Sequence, residues 1–290
     1  MQIGVVFPQT EMPADPGAVR SYVDGVAEAG FAHILAYDHV VGADPSVHSP
    51  WRGPYDVNTP FLEPFVLYGF VAAISSLELA TGIIILPQRQ TVLAAKQAAT
   101  LDVLCGGRFR LGVGIGWNAV EYEALGEDFH TRGRRLEEQV ELMRRLWTEP
   151  SLSFPGRYHK VTGAGIKPLP IQRPIPVWMG ARADRRGLER VGRMADGWIP
   201  LTEPGPELDA ALAVIHKAAA GAGRDPASIG VEGRMAVTHG DPQRIQADAD
   251  AWRQAGATHL SLNTMRGGLE GVEGHLSALQ AAANVLDVRR

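Results

Sequence analysis

Short and mostly continuous runs of apolar residues alternate along the chain with longer segments of helical periodicity. The runs are rich in Val, Ile and Leu, which is typical of strands that are buried on both faces of a sheet. They span residues 2–8, 31–37, 79–86, 109–115, 176–180, 197–201, 229–237 and 258–263. The pattern therefore predicts eight strands, separated from one another by helices.

Three of the intervening segments indicate where helices end. DPGAVRSYVDGVAEAG (15–30), TVLAAKQAATLDVLCGG (91–107) and PQRIQADADAWRQAGA (242–257) each finish at glycine or Gly-Ala, a common helix stop. Alternation of strand and helix predicts a parallel α/β sheet, and eight units predict closure into a (β/α)8 TIM barrel. We expect residues 1–290 to form a single domain of this kind. An open, doubly wound sheet is the alternative.

Two connections are too long for ordinary loops and are predicted to be insertions. Residues 42–62, after the second strand, are rich in Pro, Gly and Asp, and residues 149–175, after the fourth, are typical of a small hairpin with a Pro-rich passage. Segments that follow the carboxyl end of a barrel strand lie on the catalytic face. We therefore expect 42–62, with Trp51, Arg52 and Tyr55, to form a lid or substrate wall; a disordered surface loop is the alternative.

Composition and charge restrict the class of protein. The chain is 45% hydrophobic and 21% charged with a net charge of −4, which is typical of a soluble globular protein and gives no attraction to nucleic acid or anionic membranes. It has no apolar run long enough to span a membrane, and MQIGVVFPQ is typical of a strand and not of a signal peptide. Cys105 is the one cysteine, which excludes an intramolecular disulfide and fits the reducing cytoplasm.

The second predicted strand, in FAHILAYDHVVG, ends in two titratable side chains, Asp38 and His39. The carboxyl ends of barrel strands are where such enzymes place their functional groups. A histidine there exchanges a proton near neutral pH, and a neighbouring carboxylate orients it or binds a ligand. Adjacent residues of a strand point in opposite directions, so we expect one of the two to face the mouth and the other the wall. The alternatives are a strand end that meets water or a helix cap.

The segment FRLGVGIGWNAVEYEALG has the glycines Gly112, Gly114 and Gly116. A dinucleotide-binding fingerprint would need its third glycine at Trp117 and an acidic residue about 20 residues later, so we reject that interpretation. Instead, Gly114 and Gly116 are expected to let a flat ligand approach the backbone, with Trp117 and Asn118 beside it at the mouth. The alternative is a tight turn that needs glycine for its dihedral angles.

The segment VWMGARADRRGLERVGRMADGWIPL joins the fifth and sixth strands. The fifth strand is predicted to end at Gly180, and a helix to begin near Ala181. The first N–H groups of a helix are a ready phosphate site, and Arg182, Arg185 and Arg186 add positive charge. The alternative is a helix with a solvated basic face.

Other chemistries have little support in the sequence. The remaining histidines are scattered, without the H-x-H or H-E-x-x-H spacing of a metal site, and no G-x-S-x-G elbow is present. They are His33, His130, His159, His216, His239, His259 and His275, with His48 in the 42–62 insertion. Cys105, at an apolar helix end, is expected to pack and not to act as a nucleophile. We expect no metal.

Taken together, AYDHV, LATGIIILPQRQTVLAAKQAATLDVLCGGRFRLGVGIGWNAVEYEALG, FHTRGRRLEE and PVWMGARADRRGLERVGRMADGWIP resemble the bacterial luciferase-like superfamily. The nearest branch is that of the deazaflavin (coenzyme F-420)-dependent oxidoreductases. The resemblance covers residues 2 to about 201 and, more loosely, the last two strands. It implies a TIM barrel that holds a flavin or deazaflavin at its carboxyl-terminal mouth, commonly as a homodimer.

The resemblance also implies roles for individual residues. Asp38 and His39 match an Asp-His pair beside the cofactor ring, with His39 handling protons and Asp38 as its catalytic and cofactor-binding partner. Gly82 and Ile83 match a non-prolyl cis peptide behind the ring. The turn Gly114, Gly116, Trp117 and Asn118 matches a cofactor-lining segment, and Gly180 with Ala181 matches the phosphate-binding start of a helix, to which Arg182 adds charge.

Two reaction types follow from the two cofactors. Sugar-phosphate dehydrogenases of the family carry a glutamate where this chain has Trp117, so their reaction is not expected. With deazaflavin, which we favour, the resemblance implies hydride transfer to or from a small organic substrate. With FMN it implies a monooxygenase that uses reduced flavin and oxygen and needs a flavin reductase as partner. A flavin-binding barrel without turnover is the third alternative. Trp117 and Trp178 are both expected near the cofactor.

Overall fold

The computed structural model of the chain describes residues 1–238 and 240–288. Its strands are β1 (Gln2–Val6), β2 (His33–Ala36), β3 (Glu78–Thr81), β4 (Ile84–Ile85), β5 (Phe109–Gly114), β6 (Leu152–Pro155), β7 (Lys160–Ala164), β8 (Val177–Ala181), β9 (Gly197–Pro200), β10 (Gly230–Ala236) and β11 (His259–Asn263). Its α-helices are α1 (Pro16–Glu28), α2 (Pro64–Ile74), α3 (Thr91–Leu104), α4 (Ala119–Ala124), α5 (Arg132–Thr148), α6 (Arg185–Met194), α7 (Pro206–Gly221), α8 (Pro242–Gln254) and α9 (Gly271–Val285).

The main sheet closes on itself as a parallel barrel. Its strand order is β3-β2-β1-β11-β10-β9-β8-β5-β4, and an additional pairing of β3 with β5 closes the ring. Within the described residues, β3 and β4 together form the third of eight barrel strands. This confirms the predicted (β/α)8 barrel and excludes the open doubly wound sheet. The third strand is divided because Gly82 and Ile83, which are joined by a cis peptide bond, lie between its two pieces.

The predicted helices form where capping chemistry favours them. In α1, the Asp15 side chain accepts a hydrogen bond from the Ala18 N–H at 2.9 Å, Pro16 occupies the first turn, and Gly30 follows the helix with φ of 90°. Asp241 caps α8 in the same way. In the part of the chain that the structure describes, no helix is both long and apolar enough to cross a membrane.

The second insertion lies away from the barrel mouth. As predicted, it contains an antiparallel hairpin, β6–β7, followed by an irregular Pro-rich passage. The Asp102 carboxylate accepts the N–H groups of Ile171 and Gln172 at 2.6 and 3.0 Å, and Gln172 donates to the carbonyl of Phe109 at 2.8 Å. Because Phe109 is the first residue of β5, this passage covers the amino-terminal end of the barrel.

A buried polar network fills the barrel near that same end. Glu232 accepts hydrogen bonds from His33 at 2.9 Å and from the Arg110 guanidinium at 2.7 Å, and Arg110 also pairs with Glu78. Arg110 lies 4.6 Å from the ring centroid of Trp178, whose ring contacts that of His259. Trp178 pairs in register with Gly197, the first residue of β9. The expectation that Trp178 lies near the cofactor is therefore wrong, because the residue is placed early in its strand.

Candidate active site

Asp38 lies in the barrel wall and holds two segments together. Its side chain is buried, with 3% of the residue exposed, and one oxygen accepts the N–H of Ile85 at 3.0 Å. The other oxygen accepts a hydrogen bond from Arg89 at 2.8 Å, and Arg89 also binds Glu63 at 2.8 Å. Burial raises the pKa of the Asp38 carboxyl, and the positive charge of Arg89 opposes that change. Asp38 thus fixes the end of β2 to β4 and to the turn that follows it.

His39 points from the same strand end towards the mouth, as the alternation along β2 predicts. Its Nδ1 lies 3.4 Å from a carboxylate oxygen of Glu121. Aromatic rings surround the imidazole, with centroids 4.9 Å away for Tyr55 and Phe61 and 5.8 Å away for Trp117. A histidine in such a setting exchanges protons with a ligand through Nε2 while Nδ1 is held by the carboxylate.

Glu121 is the functional residue that sequence reasoning missed. It lies in the first turn of α4, its side chain is fully buried, and it accepts the Val40 N–H at 2.5 Å and the Gln88 amide at 3.2 Å. Burial alone raises the pKa of a carboxyl, but hydrogen bonds from His39 and the Val40 N–H outweigh it and lower the pKa of Glu121. An acidic residue in a first helical turn is common, so nothing in the sequence singled it out.

Ile83 forms one wall of the mouth. It follows the predicted cis peptide bond, which the structure confirms. A Cβ added at Gly114 would lie 2.7 Å from the Ile83 side chain, and one added at Gly180 would lie 3.0 Å from it. The absence of side chains at these glycines therefore makes room for Ile83 first of all. The Ile83 side chain therefore covers the backbone of Gly114 on this side of the barrel.

The turn after β5 has the backbone geometry that one of the two interpretations of the sequence predicts. Gly116 has φ of 64°, so it is needed for its dihedral angles, as the tight-turn alternative predicts. Trp117 is half-buried and packs against Trp51 with ring centroids 5.7 Å apart. Asn118 caps α4, its side-chain oxygen accepting the Val120 N–H at 3.1 Å, so this oxygen is already used within the protein.

The first insertion packs onto the mouth as a wall. Trp51 donates to the carbonyl of Tyr55 at 3.0 Å, which closes a compact turn. A Cβ added at Gly53 would lie 2.4 Å from Trp117, so the insertion and the turn after β5 are in close contact. Arg52 is exposed. Of the three residues expected to shape the substrate pocket, Trp51 and Tyr55 lie in this wall and Arg52 lies on its surface.

The predicted phosphate-binding helix begins later than expected. β8 continues to Ala181 and α6 begins at Arg185, because the Asp184 carboxylate accepts the Gly187 N–H at 2.9 Å and caps the helix there. The prediction of a helix start near Ala181 is therefore wrong. Arg182 is exposed, so a phosphate role for this strand end now rests on its charge and on N–H groups that Asp184 leaves free.

The remaining histidines and Cys105 are the other candidates for metal ligands or for a nucleophile. Among the described residues, no three His, Cys, Asp or Glu side chains are grouped so as to hold a metal ion. His239 lies outside the described residues. Cys105 is fully buried, and burial raises the pKa of its thiol, which disfavours the reactive thiolate.

The features of the mouth fit a planar heterocycle. It has an apolar wall at Ile83, aromatic rings at Tyr55 and Trp117, and the imidazole of His39, whose Nδ1 contacts Glu121. Aromatic and apolar walls with a few placed polar groups are typical of cofactor pockets. A flavin or deazaflavin ring is compatible with this set of residues.

Comparison with known proteins shows the family. The family model described as luciferase-like monooxygenase matches residues 1–284, so the chain belongs to the luciferase-like monooxygenase family. An uncharacterized protein of Mycobacterium tuberculosis is 32% identical over 265 residues, which are 90% of this chain and 90% of that protein.

Two further proteins are similar to this chain, one in sequence and one in fold. The F420-dependent hydroxymycolic acid dehydrogenase of M. tuberculosis is 28% identical over 255 residues, covering 87% of this chain and 66% of that protein. The crystal structure of monooxygenase RslO1 from Streptomyces bottropensis superimposes with a TM-score of 0.80 at 19% identity, covering 99% of this chain and 98% of that one. This chain is thus similar in sequence to a dehydrogenase and shares its fold with a monooxygenase.

Proposed function

We propose that this protein is a deazaflavin-dependent oxidoreductase that acts on a small organic substrate. The observation that carries the proposal is the pairing of His39 with the buried Glu121 at the mouth of a luciferase-like barrel. Such a pair holds a proton acceptor and donor in place beside a pocket of apolar and aromatic walls. The similarity to an F420-dependent dehydrogenase supports the choice of cofactor.

The proposal assigns cofactor-binding roles to residues of this chain. Ile83, supported by Gly114 and Gly180, backs one face of the ring, and Trp117 and Tyr55 flank it. Gly82 belongs to this support through the cis peptide bond. When bound, the deazaflavin supplies a carbon that accepts or donates a hydride. Ala181, Arg182 and the start of α6 are the segment we assign to the phosphate side of the cofactor.

Proton transfer is the task of His39. Its Nδ1 hydrogen-bonds to Glu121, so Nε2 is free to give a proton to the substrate or take one from it. The Glu121 carboxylate fixes the ring orientation through its contact with Nδ1. Asp38, expected to be catalytic, is here a positioning residue, because both of its oxygens are held by Ile85 and Arg89 in the wall.

The second candidate is an FMN-dependent monooxygenase. The observation that favours it is the family match itself, since the matching description is that of a luciferase-like monooxygenase. In that case the same mouth excludes water from the reacting region through its aromatic walls, and a flavin reductase supplies reduced FMN. A barrel that binds flavin without turnover is the remaining alternative.

The deciding experiment is a pair of binding titrations of the purified protein, one with oxidised deazaflavin and one with FMN, followed by Trp fluorescence. We expect micromolar deazaflavin affinity, with quenching that is reduced in Trp117→Phe and not abolished, because Trp51 lies in the same mouth. Trp178→Phe is the matched control, because Trp178 lies near the opposite end of the barrel, and it should keep the quenching. Binding of FMN alone would favour the monooxygenase, and binding of neither cofactor would contradict the proposal.

We further propose that the protein is a homodimer that packs through α2 and α3. The α2 sequence PFVLYGFVAAI contains no charged residue, although the helix lies on the outside of the barrel. Val66 is 73% exposed, and Val92 and Leu93 of the adjacent α3 are 43% and 54% exposed. Exposed apolar side chains on neighbouring helices favour a second copy of the chain as partner. Light scattering should give a dimer mass for the wild type and a monomer mass for Val66→Asp/Leu93→Asp.

A further inference from the structure

Arg234 of β10 reaches across the upper part of the barrel. One of its terminal nitrogens donates to the hydroxyl of Tyr37 at 3.3 Å, and the other donates to the carbonyl of Pro200 at 3.1 Å. The side chain therefore connects β10 with the ends of β2 and β9. A guanidinium has five N–H donors, so these two bonds leave the rest of the fork available.

Arg234 faces the same space as the proposed proton donor. Tyr37 and His39 both follow Ala36, the last residue of β2, and are two residues apart in the chain. Tyr55 packs edge-on against His39 with ring centroids 4.9 Å apart. Burial raises the pKa of Tyr55, and the charges of Arg266 and Arg234 oppose that change, so the phenol lies within range of both guanidinium groups.

Arg234 has no carboxylate partner among the described residues, in contrast to Arg89 and Arg110. Arg89 and Arg110 each bind two carboxylates. In residues 1–238 and 240–288, no carboxylate lies within 4.0 Å of Arg234. Burial raises the pKa of the Glu203 carboxyl, and the charge of Arg234 opposes that change. Glu203 forms no ion pair with the Arg234 guanidinium.

Removing a cation from water is unfavourable unless the cation is paired with an anion. The half-buried guanidinium of Arg234 has only neutral hydrogen-bond partners, so it favours an anionic ligand. The planar fork of arginine matches the two oxygens of a carboxylate. The positive groups Arg234 and Arg266 lie on the β10–β11 side of the mouth, and the acidic Glu121 lies on the β2–α4 side beside His39. The β10–β11 side of the mouth is therefore suited to bind the acid group of a ligand, and the β2–α4 side holds the proton donor, His39.

We propose that Arg234, with Tyr37, binds the carboxylate of an organic acid substrate and so orients its reacting carbon towards His39. This inference rests on the proposed function, because it names the class of substrate for the same site. It predicts that the protein discriminates between an acid and its uncharged amide, and that Arg234 has no part in cofactor affinity.

The test uses benzoate and benzamide as probes, because they have nearly the same shape and differ in charge. Calorimetric titration of the purified full chain, with and without its bound cofactor, should show benzoate binding at least about tenfold more tightly than benzamide. Arg234→Met should abolish this preference, and Arg234→Lys should keep part of it. Arg134→Met, at an exposed position of α5, is the matched control and should retain the full preference.

Two results would overturn the inference. One is equal affinity of the wild type for benzoate and benzamide. The other is an Arg234→Met variant that keeps the preference but loses cofactor affinity, which would assign Arg234 to the cofactor. If the proposed function is wrong, the wild type will not bind the cofactor. In that case the comparison of benzoate with benzamide in the protein without cofactor still decides the role of Arg234. Thermal melts of each variant confirm that it is folded.

Discussion

The carboxylate of Glu121 lies 3.4 Å from Nδ1 of His39, although the two residues belong to different βα units. Glu121 is itself fixed, because the backbone N–H of Val40 and the amide of Gln88 both donate to it. The imidazole therefore has one nitrogen held by the protein and one nitrogen available to a ligand. This relationship makes proton transfer the part of the proposed reaction that the protein controls most directly.

Replacing Glu121 by Gln should impair turnover more than binding. The amide can still contact the imidazole but carries no negative charge, so we expect kcat to fall about tenfold to a hundredfold, with deazaflavin affinity changed less than about threefold. The pH profile of kcat should also change, because the variant lacks the carboxylate that lies beside the proton-transferring side chain.

Glu123→Gln is the control for this prediction, because Glu123 lies in the same short helix but is exposed. It should leave both kcat and the pH profile unchanged. A Glu121→Gln variant with the wild-type pH profile would show that Glu121 only fills space beneath His39.

Asp38→Asn separates a positioning role from a catalytic one. The amide keeps one acceptor oxygen but loses the charge that pairs with Arg89, so we expect the free energy of unfolding to fall by about 3 kcal/mol. Activity should fall together with stability, because the segment that bears His39 loses its attachment to β4. Urea unfolding and steady-state kinetics on the same preparation test this.

Glu63→Gln is the matched comparison for Asp38→Asn, since Glu63 binds the same arginine but its side chain is 34% exposed. It should cause a smaller loss of stability. If Asp38→Asn were as stable as the wild type and yet lost more than about a hundredfold in kcat, the carboxylate would contact the reacting groups directly, as the family resemblance implied.

The sequence predicted the barrel well because continuous apolar strands and glycine-terminated helices are local signals. It predicted Gly82–Ile83 only through resemblance, since the choice of a cis peptide is not encoded in the residues themselves. Glu121 was missed because its partner His39 is brought to it by strand order, which periodicity does not specify. The late start of α6 was missed because Asp184 competes with Ala181 as the point where the chain turns helical.

Gly114→Ala should weaken cofactor binding by displacing Ile83. The new Cβ would lie 2.7 Å from the end of the Ile83 side chain, which can rotate away, so the protein should fold. Overpacking of this kind costs about 1–3 kcal/mol, and we expect at least about tenfold weaker deazaflavin binding by Trp117 quenching.

The double variant Gly114→Ala/Ile83→Val tests the cause of that loss. Valine lacks the Cδ1 atom that would lie 2.7 Å from the new methyl group but keeps the Cγ1 atom at 2.9 Å, so the double variant should recover part of the affinity. If it bound no better than Gly114→Ala, the glycine would instead be needed for direct approach of the ligand to the backbone, as the sequence led us to expect.

The buried network near the amino-terminal end of the barrel should control stability and its dependence on pH. Burial raises the pKa of Glu232, but the charges of Arg110 and His33 outweigh it and hold that pKa well below its ordinary value. A carboxyl with a depressed pKa stabilises the fold above its unfolded pKa of about 4.3, and that contribution is lost as the pH falls below it. Arg110→Met removes the main compensating charge and should destabilise the protein by about 3–5 kcal/mol at pH 7.

In Arg110→Met, the contribution of Glu232 to stability should depend on pH in the opposite direction. With burial less opposed, the pKa of its carboxyl rises, so protonation relieves the destabilisation as the pH falls. Urea unfolding at pH 7 and at about pH 5 should therefore show a smaller gap between variant and wild type at the lower pH. Arg185→Met, which removes an exposed pair with Glu189, should show no measurable gap at either pH. An Arg110→Met gap that is the same at both values would mean that lost packing against Trp178, and not an uncompensated carboxylate, causes the destabilisation.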